Sequence, residues 1–118
     1  MRNNEESRVQ RACVAWFKYQ FPDVLIMSLP NGGYRNKIEA GILKAEGVLA
    51  GASDLLIAKP SNGYCGLWIE MKVEKGKQSP AQKEFEKNAT RNGYKYVVCR
   101  SLEQFIYEVK EYLKYKQL

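Results

Sequence analysis

Apolar residues recur with a helical period in the first and last segments of this chain. At about 100° per residue, the apolar positions of residues 3–21 fall on one stripe, which predicts an amphipathic helix that Pro22 ends. Residues 101–115 have the same pattern. This last helix should bury Leu102, Phe105, Ile106, Val109 and Leu113.

Two further segments carry the start and stop signals of helices. The segments 36–47 and 79–93 open on cap residues, Asn36 and Ser79, and both close on a glycine. Pro80 stands at the first helical position of the second segment, where its missing N–H costs nothing. The chain therefore has four predicted helices.

Shorter apolar runs lie between these helices and predict strands over residues 23–29, 53–59, 64–73 and 94–99. The sequence PSNG between the second and third runs is typical of a turn, so these two strands should form a hairpin. The element order α, β, α, β, β, α, β, α predicts an α/β fold, in which helices cover both faces of a mixed sheet of about four strands. A chain of 118 residues is expected to form a single domain, 1–118.

The chain contains no histidine, and this absence narrows the chemistry available to it. Ser–His and Cys–His nucleophile pairs, histidine bases and histidine-ligated metal sites are excluded. Catalysis would depend on carboxylates, lysine, tyrosine or a metal ion bound through oxygen. The cysteines Cys13, Cys65 and Cys99 are widely separated, which predicts reduced core residues rather than disulfides or a zinc site.

Charge and hydropathy bear on partners and location. Lys and Arg number 19 against 13 Asp and Glu, which gives a formal net charge of +6. This balance favours a polyanionic partner, nucleic acid first, although solubility alone also explains a net charge. No apolar stretch is long enough for a membrane span, and the first residues lack the apolar region of a signal peptide. We therefore expect a cytoplasmic protein without a membrane partner.

Three charged residues lie at the ends of the predicted hairpin, among apolar neighbours. Asp54 opens the second strand, and Glu70 shares a face of the third strand with Lys72 because strand side chains alternate. Pairing through the turn brings Asp54 to the rim of the sheet that carries Glu70 and Lys72. A solvated Glu–Lys pair and an Asp at a turn are the simpler interpretation of the same residues.

Two close carboxylates and one ammonium group suit the hydrolysis of a phosphodiester. The carboxylates repel and raise each other's pKa, and a hard cation such as Mg²⁺ relieves that repulsion. The cation can activate a water and offset phosphate charge, while a nearby lysine orients the water or stabilises the transition state. None of these steps requires histidine.

Glu6 and Gln82 each have two interpretations. Glu6 falls near the middle of the apolar stripe of the first helix, where it either joins a metal site or forms a capping box with Asn3. Gln82 either completes the capping box that Ser79 begins or reaches the rim of the sheet with its amide.

Five residues are candidate contacts to nucleic acid: Asn31, Gly32, Arg35, Lys75 and Lys77. Asn31 and Gly32 belong to the sequence PNGG, whose glycines would let the backbone approach a nucleic acid closely, although a simple turn is the more frequent explanation. The other three are candidates through their positive charge.

Together these residues resemble the PD-(D/E)XK nuclease superfamily, which has a restriction-endonuclease-like αβββαβ core and a motif of Asp on one strand and (D/E)-x-K on the next. Asp54 and Glu70-Met71-Lys72 match that motif, with Ser53 replacing the proline before the Asp. More closely, the chain resembles a stand-alone VRR-NUC domain of phages and bacteria, in the segments ESRVQ, LPNGGYRN, KAEGVLAGASDLLIA, GLWIEMK, GKQSPAQKEF and NGYKYVVCRSLEQF.

The resemblance implies a DNA endonuclease dependent on Mg²⁺ or Mn²⁺, acting on Holliday junctions or other branched DNA as a homodimer. It implies a metal site formed by Asp54, Glu70, the Met71 carbonyl and, in its outer shell, Glu6. Lys72 would position the attacking water, and Gln82 matches the glutamine of the family's helix after the lysine. Gln10 matches a family position as well.

Three other functions stay open. The same fold serves nucleases that nick or trim DNA without preference for branched structures. An incomplete site would leave a module that binds DNA without cutting it. A structural or partner-binding protein that uses its basic faces would need no divalent cation.

Overall fold

The computed structural model describes residues 4–29 and 37–114, and its elements follow the predicted order. The helices are α1 (Asn4–Gln20), α2 (Lys37–Ala45), α3 (Pro80–Arg91) and α4 (Leu102–Leu113). The strands are β1 (Ile26–Ser28), β2 (Leu55–Ile57), β3 (Leu67–Met71) and β4 (Lys95–Cys99). The predicted α/β fold is confirmed, although the strands are shorter than the apolar runs that predicted them.

The strands form one mixed sheet in the order β1-β2-β3-β4. β1 with β2 and β2 with β3 are antiparallel, and β3 with β4 is parallel. The predicted hairpin turn is present, because Asn62 and Gly63 have φ angles of 51° and 83°, as a two-residue Asn-Gly turn requires. The parallel pair needs a crossover connection, which α3 supplies.

One face of the sheet is closed by α1 and α4, and we call it the closed face. Six of the alternate strand residues that point to it are fully buried: Leu55, Ile57, Leu67, Ile69, Met71 and Cys99. They pack against Cys13 and Phe17 of α1 and against Phe105, Val109 and Tyr112 of α4. This cluster is the hydrophobic core.

The opposite face, which we call the open face, is only partly covered. Trp68, Glu70 and Tyr96 alternate onto it, and Trp68 lies opposite Tyr96 in the parallel register. α3 packs here through Phe85, whose ring meets the Trp68 ring edge to face with centroids 5.0 Å apart. Leu56 on this face is half-buried, whereas its neighbour Leu55 on the closed face is fully buried.

α2 stands apart from the core, since none of its residues is buried. Ile38 and Ile42 are 76% and 54% exposed, respectively. Leu43 of α2, with Trp68 and Phe85, lines a pocket of about 660 Å³ beside the open face. The start and stop signals correctly predicted this helix, but none of its apolar side chains is buried within the described residues.

Several sequence predictions need correction or fall outside the described residues. Cys65 is exposed rather than buried, because it lies between the hairpin turn and the start of β3. In α4, Tyr112 is fully buried, while Leu102, Ile106 and Leu113 are only half-buried. The turn at Pro30–Gly33 and the Asn36 cap lie outside the described residues. No helix in the described part of the chain is long and apolar enough to cross a membrane.

Candidate active site

Asp54 occupies the position just before β2, and backbone contacts on both sides fix it there. Its Oδ2 accepts a hydrogen bond of 2.7 Å from the backbone N–H of Met71 on β3. Its carbonyl accepts another, of 3.1 Å, from the N–H of Leu29 after β1. These two hydrogen bonds hold Asp54 at the rim of the sheet, between β1 and β3. The predicted pairing of the hairpin strands also brings it to this rim.

Glu70 lies near the end of β3 on the open face and is only 3% exposed. The side-chain amide of Gln82 donates a hydrogen bond of 3.0 Å to its Oε2. Gln82 also completes the capping box of α3, because its Oε1 accepts from the N–H of Ser79 at 2.8 Å. The two interpretations of Gln82 are thus both correct: one amide caps the helix and contacts Glu70.

The pKa of Glu70 is raised from 4.5 to about 8. Burial is the largest cause, followed by the charge of Asp54 and a hydrogen bond with it. The Lys72 ammonium opposes the shift, and Glu6 adds to it weakly. The four side chains therefore interact electrostatically at one site, and the pair of carboxylates holds more negative charge than its surroundings favour.

Lys72 continues beyond β3, and a tight turn supports its side chain. A Cβ atom on Gly76 would lie 3.3 Å from the Lys72 Cδ and 3.3 Å from the Val73 carbonyl, so the stem passes close to this glycine. The Arg100 guanidinium donates a hydrogen bond of 2.9 Å to the Glu74 carbonyl and ties the turn to the end of β4. The turn therefore limits the directions that the Lys72 ammonium can take.

Glu6 and Gln10 come from α1, on the other side of the sheet rim. Glu6 is half-buried and close enough to Glu70 to influence its pKa. The Gln10 amide donates to the Ser28 hydroxyl at 3.5 Å, a long hydrogen bond that joins α1 to β1. The alternative partner of Glu6, Asn3, lies outside the described residues.

The donor set of this site suits a hard divalent cation. Among residues 4–29 and 37–114 there is no cluster of three or more His, Cys, Asp or Glu ligands. Mg²⁺, however, is commonly bound through one or two carboxylates, with waters and substrate phosphates completing its octahedron. The carboxylates of Asp54 and Glu70 are the two oxygen donors that could form such a partial shell. The raised pKa of Glu70 is the expected state of this shell without a cation.

The candidate nucleic-acid contacts divide into two groups. Lys75 and Lys77 are exposed in the segment that follows Lys72, so they flank the site in sequence. Asn31, Gly32 and Arg35 lie outside the described residues.

Sequence analysis missed three residues that shape the site. Gly51 has φ +79°, and a Cβ atom on it would lie 2.4 Å from the Ala81 backbone at the start of α3. Tyr96 and Gln78 form hydrogen bonds that reach Glu70. The glycine before Ala52-Ser53-Asp54 was a usable signal, because glycine marks close backbone approach. Tyr96 and Gln78 had none, since their contact depends on the pairing of distant strands.

Comparison with known proteins bears on the family and fold of the chain. The family model described as "VRR-NUC domain" matches residues 4–103. A solved structure described as "VRR_NUC domain protein" is similar to this chain with a TM-score of 0.80 and 28% sequence identity. The similarity covers 99% of this chain and 94% of the other. No curated protein matches the chain.

Proposed function

The chain belongs to the VRR-NUC domain family and has a nuclease-type function, and we propose that it hydrolyses phosphodiester bonds of DNA with Mg²⁺ or Mn²⁺ at the Asp54–Glu70 rim. The observation that carries this proposal is the nearly buried Glu70 carboxyl beside Asp54, with its pKa raised to about 8. Such a pair is unfavourable alone and favourable around a cation.

Each side chain at the rim has a distinct part in this mechanism. Asp54 and Glu70 would hold a divalent cation, together with the Met71 carbonyl. A bound divalent cation supplies Lewis acidity to the phosphate and to the attacking water. Lys72 orients that water and offers positive charge to the phosphate oxygens in the transition state. Gln82 keeps the Glu70 carboxylate in place through its hydrogen bond of 3.0 Å, and Glu6 would support the cation from further away.

The proposed substrate is branched DNA, including Holliday junctions. The net charge of +6 and the exposed Lys75 and Lys77 beside the site favour a polyanion. Asn31, Gly32 and Arg35 are proposed as further DNA contacts. The preference for branched structures rests on the family resemblance, so the experiment below compares several DNA structures.

The proposed assembly is a homodimer, since a symmetric junction needs two cuts and a single domain of this size offers one site. Exposed apolar side chains support it: Ile38 and Ile42 on α2, Met27 on the edge strand β1 and Leu25 just before it are between 41% and 76% exposed. Light scattering on the protein as it elutes from a size-exclusion column should give twice the mass of one chain. Ile42→Glu should shift it toward the monomer, whereas Tyr107→Glu on α4 should not.

One cleavage experiment tests the activity. Wild type, Asp54→Asn and Lys72→Ala are incubated with a four-way junction, a flap, a linear duplex and a single strand, at one salt concentration, with Mg²⁺ or with EDTA. We expect metal-dependent cleavage, strongest on branched DNA, and a loss of about 10²- to 10³-fold in both variants. Asp54→Asn keeps an oxygen acceptor for the Met71 N–H, so its fold should persist.

Each alternative function predicts a different outcome of this cleavage experiment or of binding measurements made beside it. Equal cleavage of all four DNAs would replace the branched substrate by a general nuclease. Unchanged cleavage in both variants would remove the catalytic assignment. Binding of DNA without cleavage would indicate a binding module, and absence of heat on titration with Mn²⁺ would favour a structural protein.

A further inference from the structure

Tyr96 lies on the open face beside Glu70, but it belongs to a strand that is remote in sequence. Parallel pairing places Tyr96 opposite Trp68, and Val98 opposite Glu70. Tyr96 and Glu70 are therefore diagonal neighbours on the open face of two adjacent strands. The Tyr96 hydroxyl is 3.5 Å from the Glu70 Oε1, to which it donates a hydrogen bond. The Gln82 amide contacts the other oxygen, Oε2. Each carboxylate oxygen of Glu70 therefore accepts a hydrogen bond from an uncharged side chain, Tyr96 at Oε1 and Gln82 at Oε2.

A second hydrogen bond sets the direction in which the phenol donates. The Gln78 amide donates to the Tyr96 oxygen at 3.0 Å and also to Glu86 Oε1 at 3.0 Å. Because Gln78 occupies the oxygen of the phenol as donor, the phenol's own hydrogen is free for an acceptor such as Glu70. Burial raises the pKa of Tyr96 to about 12, so the phenol keeps this hydrogen at neutral pH.

Two hydrogen-bonded routes to Glu70 begin on one face of α3. Gln82 and Glu86 are one helical turn apart, so their side chains project in the same direction. Gln82 reaches Glu70 directly, and Glu86 reaches it through Gln78 and Tyr96. The Ser53 hydroxyl also lies near the phenol and lowers its pKa, but it is buried and has no hydrogen bond of normal geometry to any residue that the structure describes.

We propose that Tyr96 and Gln78 are positioning residues of the nuclease site, which orient the Glu70 carboxylate for the divalent cation by holding its Oε1. This inference rests on the proposed function. A glutamate has three rotatable side-chain bonds, so an unsupported Glu70 would turn away from Asp54 when the cation is absent. Groups that hydrogen-bond a metal ligand typically change metal affinity or activity by about 10- to 100-fold when removed.

The first test measures Mn²⁺ binding by calorimetry in the absence of DNA. Tyr96→Phe should weaken binding about 10- to 100-fold, because the phenol hydrogen bond to Glu70 is lost. Tyr94→Phe is the matched control: Tyr94 also packs on Trp68, with centroids 6.0 Å apart, but it has no hydroxyl hydrogen bond within the described residues. Equal Mn²⁺ affinity in the two variants would overturn the proposal.

The second test asks whether Gln78 acts through Tyr96. Gln78→Leu should also weaken Mn²⁺ binding. The Mn²⁺ affinity of the double variant with Tyr96→Phe should be no lower than that of the single variant with the lower affinity. Groups acting in series lose their effect together, whereas independent groups multiply their effects. A double variant whose loss equals the product of the two single losses would contradict the proposed chain of hydrogen bonds.

Steady-state cleavage provides the remaining readout. Tyr96→Phe should lower kcat at saturating DNA and leave KM unchanged, because the phenol contacts a metal ligand rather than the substrate. A change in KM alone would overturn the positioning role. If wild type neither binds Mn²⁺ nor cleaves any DNA, the proposed function fails. If wild type does both and Tyr96→Phe is unchanged, only the present inference fails.

Discussion

The closed and open faces of the sheet are built from the same strands, yet they do different work. On the closed face, α1 and α4 cover six fully buried apolar strand residues. On the open face, α3 covers only part of the surface, and Glu70 takes a position that an apolar residue would otherwise fill. Stability is concentrated on the closed face, which lets the open face hold a buried carboxyl that opposes folding.

This difference explains why a domain of modest size can tolerate its own active site. The free-energy cost of burying Glu70 beside Asp54 is confined to the open face. The donors that contact Glu70, Gln82 and Tyr96, are uncharged, so they do not neutralise the carboxylate. Lys72 offsets that charge only in part, since the pKa of Glu70 still rises to about 8. The proposed cation would relieve this cost on the open face, and the closed face supplies the stability that keeps the domain folded without it.

The largest expected effect comes from comparing two adjacent leucines of β2. Leu55 is fully buried on the closed face, and Leu56 is half-buried on the open face. Leu55→Ala should lower the free energy of unfolding by about 3–5 kcal/mol. Leu56→Ala, with less area to lose, should cost about 1 kcal/mol. Urea unfolding of the two variants under identical conditions measures the difference.

Equal losses in Leu55→Ala and Leu56→Ala would break the comparison between the faces. They would indicate that α3 and the segment after α2 close the open face as completely as α1 and α4 close the other. Cleavage activity gives an independent check. Leu55→Ala should retain its activity at temperatures where it remains folded, because no atom of Leu55 belongs to the site.

Local patterns in the sequence predicted the hairpin and the three charged residues on it. Period-two alternation and the Asn-Gly turn fix which residues of adjacent strands meet, so Asp54, Glu70 and Lys72 could be brought together without a structure. The capping box of Gln82 was predicted for the same reason, since it involves only four consecutive residues. These features depend on short-range geometry.

The features that the sequence did not predict depend on contacts between residues that are distant in the chain. The register of β4 against β3 depends on the length and docking of α3, which no local pattern encodes, so Tyr96 and Gln78 could not be assigned to Glu70. Cys65 was wrongly placed in the core because its apolar run was read as strand from residue 64, whereas β3 begins at Leu67. The exposure of α2 was also unpredictable, because an amphipathic pattern does not say what covers its apolar side.

The second prediction concerns pH and the cost of Glu70 without a cation. Its pKa is 4.5 ordinarily and about 8 in the folded protein, so the folded state keeps a proton that the unfolded chain releases. The stability gained from that retained proton is complete below pH 4.5 and is lost as pH rises toward 8. With one pKa unit worth about 1.4 kcal/mol, we expect metal-free wild type to lose about 2–4 kcal/mol across this range.

Glu70→Gln should remove that loss, because the amide does not ionise. Unfolding free energies at pH 5 and pH 8 in EDTA, for wild type and variant, provide the measurement. Other groups with raised pKa values, the Cys13 and Cys99 thiols and the Tyr96 phenol, titrate above this range and should not interfere. Adding Mn²⁺ at pH 8 should stabilise wild type and not the variant. Parallel pH curves for the two proteins would show that Glu70 is not destabilising.

The smallest expected effect tests how the open face is attached to its helix. Gly51 and Gly63 have nearly equal φ angles, +79° and +83°, but only Gly51 has a backbone neighbour where a Cβ atom would be, at 2.4 Å in Ala81. Alanine at either position carries the cost of a left-handed conformation, about 1–2 kcal/mol. Gly51→Ala should cost about 1–2 kcal/mol more, because the start of α3 must move.

That movement would be visible at the active site as well. The start of α3 carries Gln82, so displacing it lengthens the hydrogen bond to Glu70, and Gly51→Ala should weaken Mn²⁺ binding while Gly63→Ala leaves it unchanged. If both glycine variants lose the same stability and bind Mn²⁺ like wild type, α3 is held by Phe85 and its ring contacts alone. If they differ as expected, the close approach at Gly51 joins the segment carrying Asp54 to the helix that orients Glu70, so this contact helps to position both carboxylates.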